Sequence, residues 1–392
     1  MNNRQKTHLP FLDGMRGIAI FAVFVYHMLW ACYQFGQLPW NGWVRDFSIS
    51  KTYLLIFPAT YGFTGVAVFF VISGFCIHLS HQRSGEKGWR SFSTRRFFRI
   101  YPPYVFALLI FLFAWPWGSL SMDEPKLVQF LTHILAIHNF DSQTIYGING
   151  SFWSIAIEIQ LYALYPILLI FAKKPNWKRA LWITGALEIA LRSIASIYDL
   201  LHIKEPLLLN TPLAYWFSWA LGAYLAECYL KNQSSRLLQV RFDLVLIIAL
   251  AVNLFKPTEH FTFLGFALLT AIAIERLMTE KWQLPTNLVF RWSWRHLSFL
   301  GTISYSFYLI HQPFLNLTYQ VLNWALPGAY FHRLALLAVC GLFWYPIVLI
   351  LSYLMYKLIE LPSIQLGKFT WKKFQTRQTL QELPTNDPPA NP

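Results

Sequence analysis

Residues 9–34 read LPFLDGMRGIAIFAVFVYHMLWACYQ, a short polar turn followed by an apolar run of nearly membrane-spanning length. An ionisable side chain inside such a run is costly, so His27 is a candidate functional residue. Arg16 precedes it by eleven residues, about three helical turns plus roughly 20°, so both side chains leave the same helix face. They are about 16 Å apart along the axis. The stretch predicts a membrane helix with a cation at one end and an imidazole deep on the same face.

The composition extends this interpretation to the whole chain. Of its 392 residues, 56% are hydrophobic and only 13% are charged, whereas a soluble domain carries about 25% charged residues. We therefore predict an all-α fold, a polytopic integral membrane protein of about ten transmembrane helices with both termini in the cytosol. The predicted spans are 17–34, 60–80, 103–118, 151–172, 180–198, 211–229, 242–255, 261–277, 298–320 and 334–357.

The basic residues set the direction of these spans. The segments predicted to be cytosolic hold about 25 of the 32 Lys and Arg, and those predicted to face outward hold about six. This bias places Arg16 near the cytosol and His27 toward the outer leaflet. Basic loops beside anionic lipid headgroups also account for the net charge of +14, so no nucleic-acid partner is expected.

The chain is expected to form one membrane domain over 1–360 and a cytosolic tail over 361–392, largely disordered because it is polar and rich in proline. The first apolar run lacks a small-residue cleavage site and is interpreted as a retained span. The four cysteines, including Cys76, lack metal-ligand spacing and are interpreted as packing residues. No metal and no permanently bound cofactor are expected.

Polar residues recur inside the spans at similar depth. In the fourth span Ser154, Glu158 and Tyr162 follow one another at i, i+4 and i+8, a polar stripe on an apolar helix. Glu158 is either a structural hydrogen-bonding group or a functional one. His27, Glu158 and His311 all lie in the outer half of their predicted spans, at about 10 Å from the outer end for His27. Equal height suggests that these three groups act together.

Three further motifs stand out, and two of them have alternative interpretations. Arg95, Arg96 and Arg99 precede Pro102-Pro103. One interpretation is that these basic residues anchor the membrane topology. The other is that Arg96 and Arg99, on one helix face, bind phosphate with their paired guanidinium groups. Ser73-Gly74 either allows close helix packing or leaves room for a substrate. In the ninth predicted span Ser304, Tyr308 and His311 share a face.

Other charged residues in the spans are assigned structural roles. Glu188 and Arg192 are four residues apart on one helix and predict an ion pair. Glu227, Glu275 and Glu360 lie at predicted inner helix ends, where a solvated or capping role is expected.

Taken in order, these residues resemble the acyltransferase-3 family of multi-pass membrane O-acyltransferases. The motifs that match are LDGMRGIAIFAVFVYH with Arg16 and His27, FFVISGF with Ser73, RRFFRIYPPY with Arg96 and Arg99, NGSFWSIAIEIQLYALYP with Trp153, Ser154, Glu158 and Tyr162, and LGTISYSFYLIHQP with Ser304, Tyr305, Tyr308 and His311. Each motif is weak by itself, but five in the same order are specific. Some relatives carry a fused extracytoplasmic hydrolase-like domain. We expect no such domain in this chain, which therefore resembles the stand-alone members of the family.

The resemblance implies a cytosolic acyl-CoA donor, often acetyl-CoA, and a hydroxyl acceptor on a glycan, glycolipid or related molecule. It also implies that the arginine pair and the histidine of the first span are needed for activity. We expect the protein in the cytoplasmic (inner) membrane of a bacterium. Arg16, Arg96 and Arg99 are then the residues expected to bind the phosphates of coenzyme A.

His27 is the expected general base on the acceptor hydroxyl, with Glu158 orienting its imidazole. Tyr308 or His311 is expected to donate a hydrogen bond to the developing oxyanion. The expected substrate-binding residues are Ser73, Trp153, Ser154 and Tyr162. Direct transfer is favoured over a route through acylated His27. A transporter or flippase for a lipid-linked glycan remains the alternative function, because mid-membrane ionisable groups suit it equally well.

Overall fold

The computed structural model describes residues 9–33, 40–47, 57–84, 88–114, 126–173, 177–203, 207–285, 287–325 and 333–381. Over these residues the protein is almost entirely helical. A two-stranded antiparallel hairpin pairs β1 (Trp40–Asn41) with β2 (Val44–Arg45). The α-helices are α1 (Pro10–Tyr33), α2 (Gly65–Gln82), α3 (Gly88–Leu109), α4 (Lys126–Ile134), α5 (Phe152–Phe171), α6 (Trp177–Leu200), α7 (Trp216–Leu230), α8 (Phe242–Ala251), α9 (Thr262–Met278), α10 (Leu288–Thr302), α11 (Ser304–Ala325), α12 (Arg333–Met355) and α13 (Leu361–Gln381).

The predicted all-α, multi-pass membrane architecture is confirmed. Each predicted span overlaps a helix. Seven helical segments over the described residues are long and apolar enough to cross a membrane: Pro10–Ala31, Phe57–Arg83, Trp89–Phe113, Phe152–Phe171, Trp177–Leu200, Lys256–Met278 and Val339–Lys373. The predicted spans 211–229, 242–255 and 298–320 correspond to α7, α8 with its short extension, and α11, which lie outside that set.

Helices α2 and α7 cross in close contact. A Cβ atom added at Gly74 would lie 1.9 Å from the Trp219 carbonyl oxygen, and one added at Gly222 would lie 1.9 Å from the Val71 carbonyl oxygen. The two backbones therefore touch, which only glycine allows. The packing role considered for Ser73-Gly74 is correct for Gly74.

Gly74→Ala is expected to destabilise the fold by about 1–3 kcal/mol, because the added methyl must push two backbones apart. Thermal unfolding in detergent measures the effect. Gly341→Ala is the matched control, since its Cβ would meet only the flexible end of Met28 at 3.3 Å, so equal loss in both variants would contradict the packing argument.

Helix α3 begins well before Pro102-Pro103 and runs through both prolines, so Arg96 and Arg99 lie inside a helix rather than in a loop before one. Pro102 has no N–H to donate to the carbonyl of Phe98 four residues earlier. The hydroxyl of Ser363 on α13 donates to that carbonyl instead. A partner from another helix therefore satisfies the group that proline leaves unpaired.

The prediction of a largely disordered tail over 361–392 is wrong for Leu361–Gln381, which form α13. The helix continues from α12 through the π-helical turn Tyr356–Glu360. It packs on α3, where Gly367 closely approaches Phe98. Polar composition favoured disorder, but the contact with α3 stabilises the helix. Residues 382–392 lie outside the described residues.

Helix α10 occupies much of the connection between the predicted spans 261–277 and 298–320, a connection predicted to be cytosolic. It packs along the start of α1, where the carbonyl oxygen of Leu297 lies against Gly17. This contact leaves the other side of α1, which carries Arg16, free to face α2 and α3. The stretch 13–17, predicted from the sequence to be a turn, lies in the first part of α1. Its packing on α10 decides how Arg16 is presented.

The structure confirms the predicted ion pair between Glu188 and Arg192. Their side chains are 2.9 Å apart and at most 1% exposed. Glu188 also accepts from the Ser218 hydroxyl and backbone N–H, and Arg192 donates to the carbonyl of Ala214 at 2.7 Å. The pair joins α6 to the start of α7 and lies apart from the cavities described below.

Glu188→Gln is expected to cost about 3–5 kcal/mol of stability, because it leaves the buried Arg192 cation without its counter-charge. Adding Arg192→Met to it should recover part of the loss. Thermal unfolding in detergent is the measurement. Asp243→Asn removes one partner of the exposed pair with Arg241 and should change nothing measurable; equal effects of the two single variants would contradict this account.

The expectation of solvated or capping glutamates at inner helix ends is only partly correct. Glu360 is 2% exposed and accepts from Ser306 at 2.6 Å. Glu275 is 1% exposed and accepts from the backbone N–H and hydroxyl of Ser235. Both carboxyl groups are buried because neighbouring helices bring hydroxyl donors to them.

Candidate functional site

Three cavities follow one another through the bundle. The first, which we call the basic vestibule, lies between the start of α1, the end of α2 and the start of α3. The second, the middle cavity, lies between α1, α2, α3, α5 and α11. The third, the aromatic cavity, is lined by His27 and a ring of aromatic side chains.

Successive cavities share lining residues. Arg16, Cys76 and Arg99 line both the basic vestibule and the middle cavity. Val66 and Tyr308 line both the middle cavity and the aromatic cavity. A line of spaces therefore leads from a cluster of arginines at one end to His27 at the other.

The arginines of the predicted phosphate site meet at the middle cavity although they come from two helices. Arg16 of α1 donates to Asp13 at 3.2 Å and to the sulfur of Cys76 at 3.1 Å. Arg96 of α3 donates to the Cys76 carbonyl at 3.2 Å. Arg99, one helical turn further on, lines the same cavity and is exposed. The predicted grouping of Arg16, Arg96 and Arg99 is thus realised in the fold.

His27 is paired with His311. The Nδ1 atom of His27 is 2.9 Å from Nε2 of His311, and Nδ1 of His311 is 2.9 Å from the carbonyl oxygen of Tyr308. A carbonyl only accepts, so Nδ1 of His311 must donate, and its Nε2 then accepts in the neutral ring. The network therefore assigns a proton to Nδ1 of His27 and a lone pair to its Nε2. That tautomer is the one a general base at Nε2 requires.

Glu158 does not contact His27, contrary to the expectation from their equal height. Its carboxylate accepts from the Ser73 hydroxyl at 2.7 Å and from the Tyr162 hydroxyl, and it lines the middle cavity with the arginines. Glu158 faces Ser73 on α2, so the predicted equal depth does not by itself bring it to His27. His311 takes the orienting position that was expected for Glu158.

Tyr308 lies at the boundary between the middle and aromatic cavities. Its hydroxyl is 2.6 Å from that of Ser154, and its ring packs edge-on against Phe69. Both ring nitrogens of His311 are engaged with His27 and Tyr308. Tyr308 lines two of the three cavities and His311 lines none of them, so Tyr308 is the better placed of the two residues considered as oxyanion donors.

The expected substrate-binding residues divide between two cavities. Ser73, Ser154 and Tyr162 line the middle cavity, whereas Trp153 lines the aromatic cavity. Ser73 also accepts from the Trp219 indole N–H at 3.3 Å. The stripe on α5 is therefore a wall of the middle cavity, and its neighbour Trp153 faces the next space.

Sequence reasoning missed two residues of the site. Gln312 lines the aromatic cavity and bonds to the hydroxyl of Ser151; its polarity directly after His311 in an apolar run was an available signal. Cys76 was interpreted as a packing residue, yet it contacts Arg16 and lines two cavities. Nothing in its spacing distinguishes it from the other cysteines.

The fold and the site define a multi-pass membrane protein with three adjoining cavities and a pair of hydrogen-bonded histidines. An acyltransferase domain model of the acyltransferase-3 family matches residues 9–327. The chain belongs to this family of membrane acyltransferases.

Curated relatives carry O-acetyltransferase names. The chain is 25% identical to the peptidoglycan O-acetyltransferase OatA of Listeria monocytogenes over 94% of its length and 58% of the relative. It is 25% identical to the putative peptidoglycan O-acetyltransferase YrhL of Bacillus subtilis, over 91% and 55%, and 23% identical to a putative O-acetyltransferase of Staphylococcus aureus, over 79% and 51%. The chain thus spans little more than half the length of these relatives. No solved structure gives a significant match.

Proposed function

We propose that this acyltransferase moves an acyl group, acetyl by analogy with the names of its relatives, from cytosolic acyl-CoA to a hydroxyl of a glycan or related acceptor. The donor enters at the basic vestibule and the acceptor occupies the aromatic cavity. The observation that carries the proposal is the line of three cavities with arginines at one end and the His27–His311 pair at the other.

The donor end has the chemistry of a polyphosphate site. Arg16 and Arg99 line both the vestibule and the middle cavity, and Arg96 lines the middle cavity. Guanidinium groups bind phosphate oxygens with two parallel hydrogen bonds. The excess of basic residues on this side of the predicted topology supports the assignment of the vestibule to the cytosolic side. The membrane proposed is the cytoplasmic (inner) membrane.

The length of the path suits the donor. Arg16 and His27 are about 16 Å apart along α1, which is of the order of the pantetheine arm. A diphosphate held near Arg16 therefore brings the thioester into reach of the imidazole. The middle cavity between them carries hydroxyl, carboxylate and aromatic groups, which suit an arm that alternates amides and methylene groups.

The acceptor end has the chemistry of a sugar site. Trp30 and Trp153 supply flat apolar faces, and Asn210 and Gln312 supply amides that can both donate and accept. Tyr146 adds a phenol hydroxyl that can donate a hydrogen bond. Two of the relatives named above act, by name, on peptidoglycan, which supports a glycan acceptor.

The chemistry needs one base and one oxyanion donor. Nε2 of His27 takes the proton of the acceptor hydroxyl as its oxygen attacks the thioester carbonyl, worth about 10²–10⁴-fold in rate. His311 accepts from Nδ1 of His27 and stabilises the imidazolium. The Tyr308 hydroxyl, which bonds to Ser154 at 2.6 Å in the structure, turns to donate to the oxyanion. The C–S bond then breaks, and the proton passes from His27 to the sulfur, giving ester and free coenzyme A.

The test is the release of coenzyme A thiol when acetyl-CoA is added to proteoliposomes containing the protein and a peptidoglycan-derived acceptor. Thiol release with equal ester formation is expected. A transporter or flippase for a lipid-linked glycan would release no thiol. Absence of thiol with short acyl-CoA donors and acceptor extracts would overturn the proposal.

A further inference from the structure

The basic vestibule holds two arginines that the proposed chemistry does not use. We propose that Arg83 and Arg95 bind the 3′-phosphate of the acyl-CoA nucleotide, and so make the enzyme select coenzyme A over donors that lack this phosphate. This inference rests on the proposed function and adds a specificity site to it. Both residues line the vestibule and neither lines the middle cavity.

The vestibule has a surplus of positive charge. Among the residues that the structure describes, its charged lining residues are Arg16, Arg83, Arg95, Arg99 and one acid, Asp13. Asp13 is already engaged with Arg16 at 3.2 Å. Four arginines and one acid among the described lining residues give a net positive cavity, which favours a ligand with several phosphate charges.

Arg95 is held in place before any ligand binds. Its two terminal nitrogens donate to the hydroxyl of Ser91 at 2.7 Å and to that of Ser84 at 2.5 Å. Ser84 in turn donates to the Ser80 carbonyl at 2.7 Å. A guanidinium has five N–H groups, so three remain beyond these two bonds. An arginine that is both fixed and still rich in donors loses little entropy when it binds phosphate.

Arg83 approaches the same space from another helix. It follows the last residue of α2, and its backbone N–H still bonds to the Leu79 carbonyl. Arg95 lies on α3. The vestibule is thus framed by cations on both sides of the α2–α3 connection, an arrangement suited to a phosphate between them.

The order of cations along the cavities matches the order of groups along the donor. Arg83 and Arg95 line only the vestibule, Arg16 and Arg99 line the vestibule and the middle cavity, and His27 lines the aromatic cavity. Along acyl-CoA the sequence is the 3′-phosphate and adenosine, the diphosphate, the pantetheine and the thioester. With the thioester at His27 and the diphosphate at Arg16 and Arg99, the 3′-phosphate falls in the vestibule.

If Arg83 and Arg95 served only to anchor the membrane topology, they would not need to line a cavity. Arg90 lies on the same helix as Arg95, is exposed, and does not line the vestibule. It carries the same charge on the same side of the predicted membrane. Arg90 therefore separates a general electrostatic effect of basic residues from a specific contact within the cavity.

The experiment compares acetyl-CoA with acetyl-3′-dephospho-CoA as donors in proteoliposomes. The wild-type protein should favour acetyl-CoA by about 10- to 100-fold in kcat/KM, the range for charged hydrogen bonds. In Arg83→Gln/Arg95→Gln this preference should fall to about twofold or less, through a higher KM for acetyl-CoA, while kcat/KM for the dephospho donor stays unchanged. Arg90→Gln should keep the full preference.

Each outcome decides a different point. Equal use of both donors by the wild-type protein, or a preference that survives in the double variant, overturns the 3′-phosphate site. Unchanged turnover of the dephospho donor shows that the double variant is folded. No thiol release from either donor with the wild-type protein contradicts the proposed function instead.

Discussion

His27→Ala is expected to lower acyl transfer by about 10²–10⁴-fold, because it removes the only imidazole that lines the three cavities over the described residues. The protein should remain folded in the membrane, since His27 lines a cavity rather than filling a packed core. Ester formation and thiol release per mole of folded protein are the measurements. His202→Ala, which changes an exposed histidine outside the cavities, is the control.

A His27→Ala protein with most of its activity would remove His27 from the chemistry. A second measurement addresses its role as base. Donor supplied without acceptor should leave no acyl group on the protein if transfer is direct, whereas an acyl group on His27 would indicate a route through an acyl-enzyme.

His311→Ala is expected to lower kcat by about 10²-fold or more, and up to the roughly 10⁴-fold seen when the orienting partner of a catalytic histidine is replaced. The alanine leaves Nδ1 of His27 without its acceptor. The hydrogen bond that fixes the tautomer and the orientation of the His27 ring is then lost. The KM for acetyl-CoA should stay the same, because His311 lines neither the vestibule nor the middle cavity.

Two variants distinguish positioning by His311 from a structural role. His311→Gln retains an oxygen that can accept from His27, so it should recover part of the lost kcat. Glu158→Gln should act on the middle cavity through Ser73 and Tyr162, and so raise the KM for acetyl-CoA. If Glu158→Gln lowers kcat as much as His311→Ala with KM unchanged, the assignment of His311 as the orienting residue is wrong.

Much of the fold could be predicted because a membrane helix depends on the apolar length of its own segment. Apolar length and the loop charges identified a helix at every predicted span. The misses came from contacts between distant segments. Pro102-Pro103 looked like a helix start, but Ser363 supplies the missing hydrogen bond. The polar tail looked disordered, but α3 gives it a surface on which to fold as α13.

The sequence predicted which residues belong to the site, but it did not predict which of them contact each other. Helical spacing put Arg16 and His27 on one face of α1, and the motif order picked out Arg96, Arg99 and His311. Equal depth suggested a contact between His27 and Glu158. Depth depends on position along each helix, whereas contact also depends on how each helix is rotated about its own axis, and rotation is set by packing.

The sequence by itself determined that this chain is a helical membrane protein, where its long apolar helices lie and which ionisable residues those helices carry. Apolar length and the cost of a charge in lipid are local quantities that can be read from each segment alone. Only the tertiary structure decided that His311, and not Glu158, holds His27, and that Arg83 and Arg95 share a cavity with Arg99. Those facts depend on helix rotation and on backbone contacts such as Gly74 with Trp219, which join residues far apart in the chain.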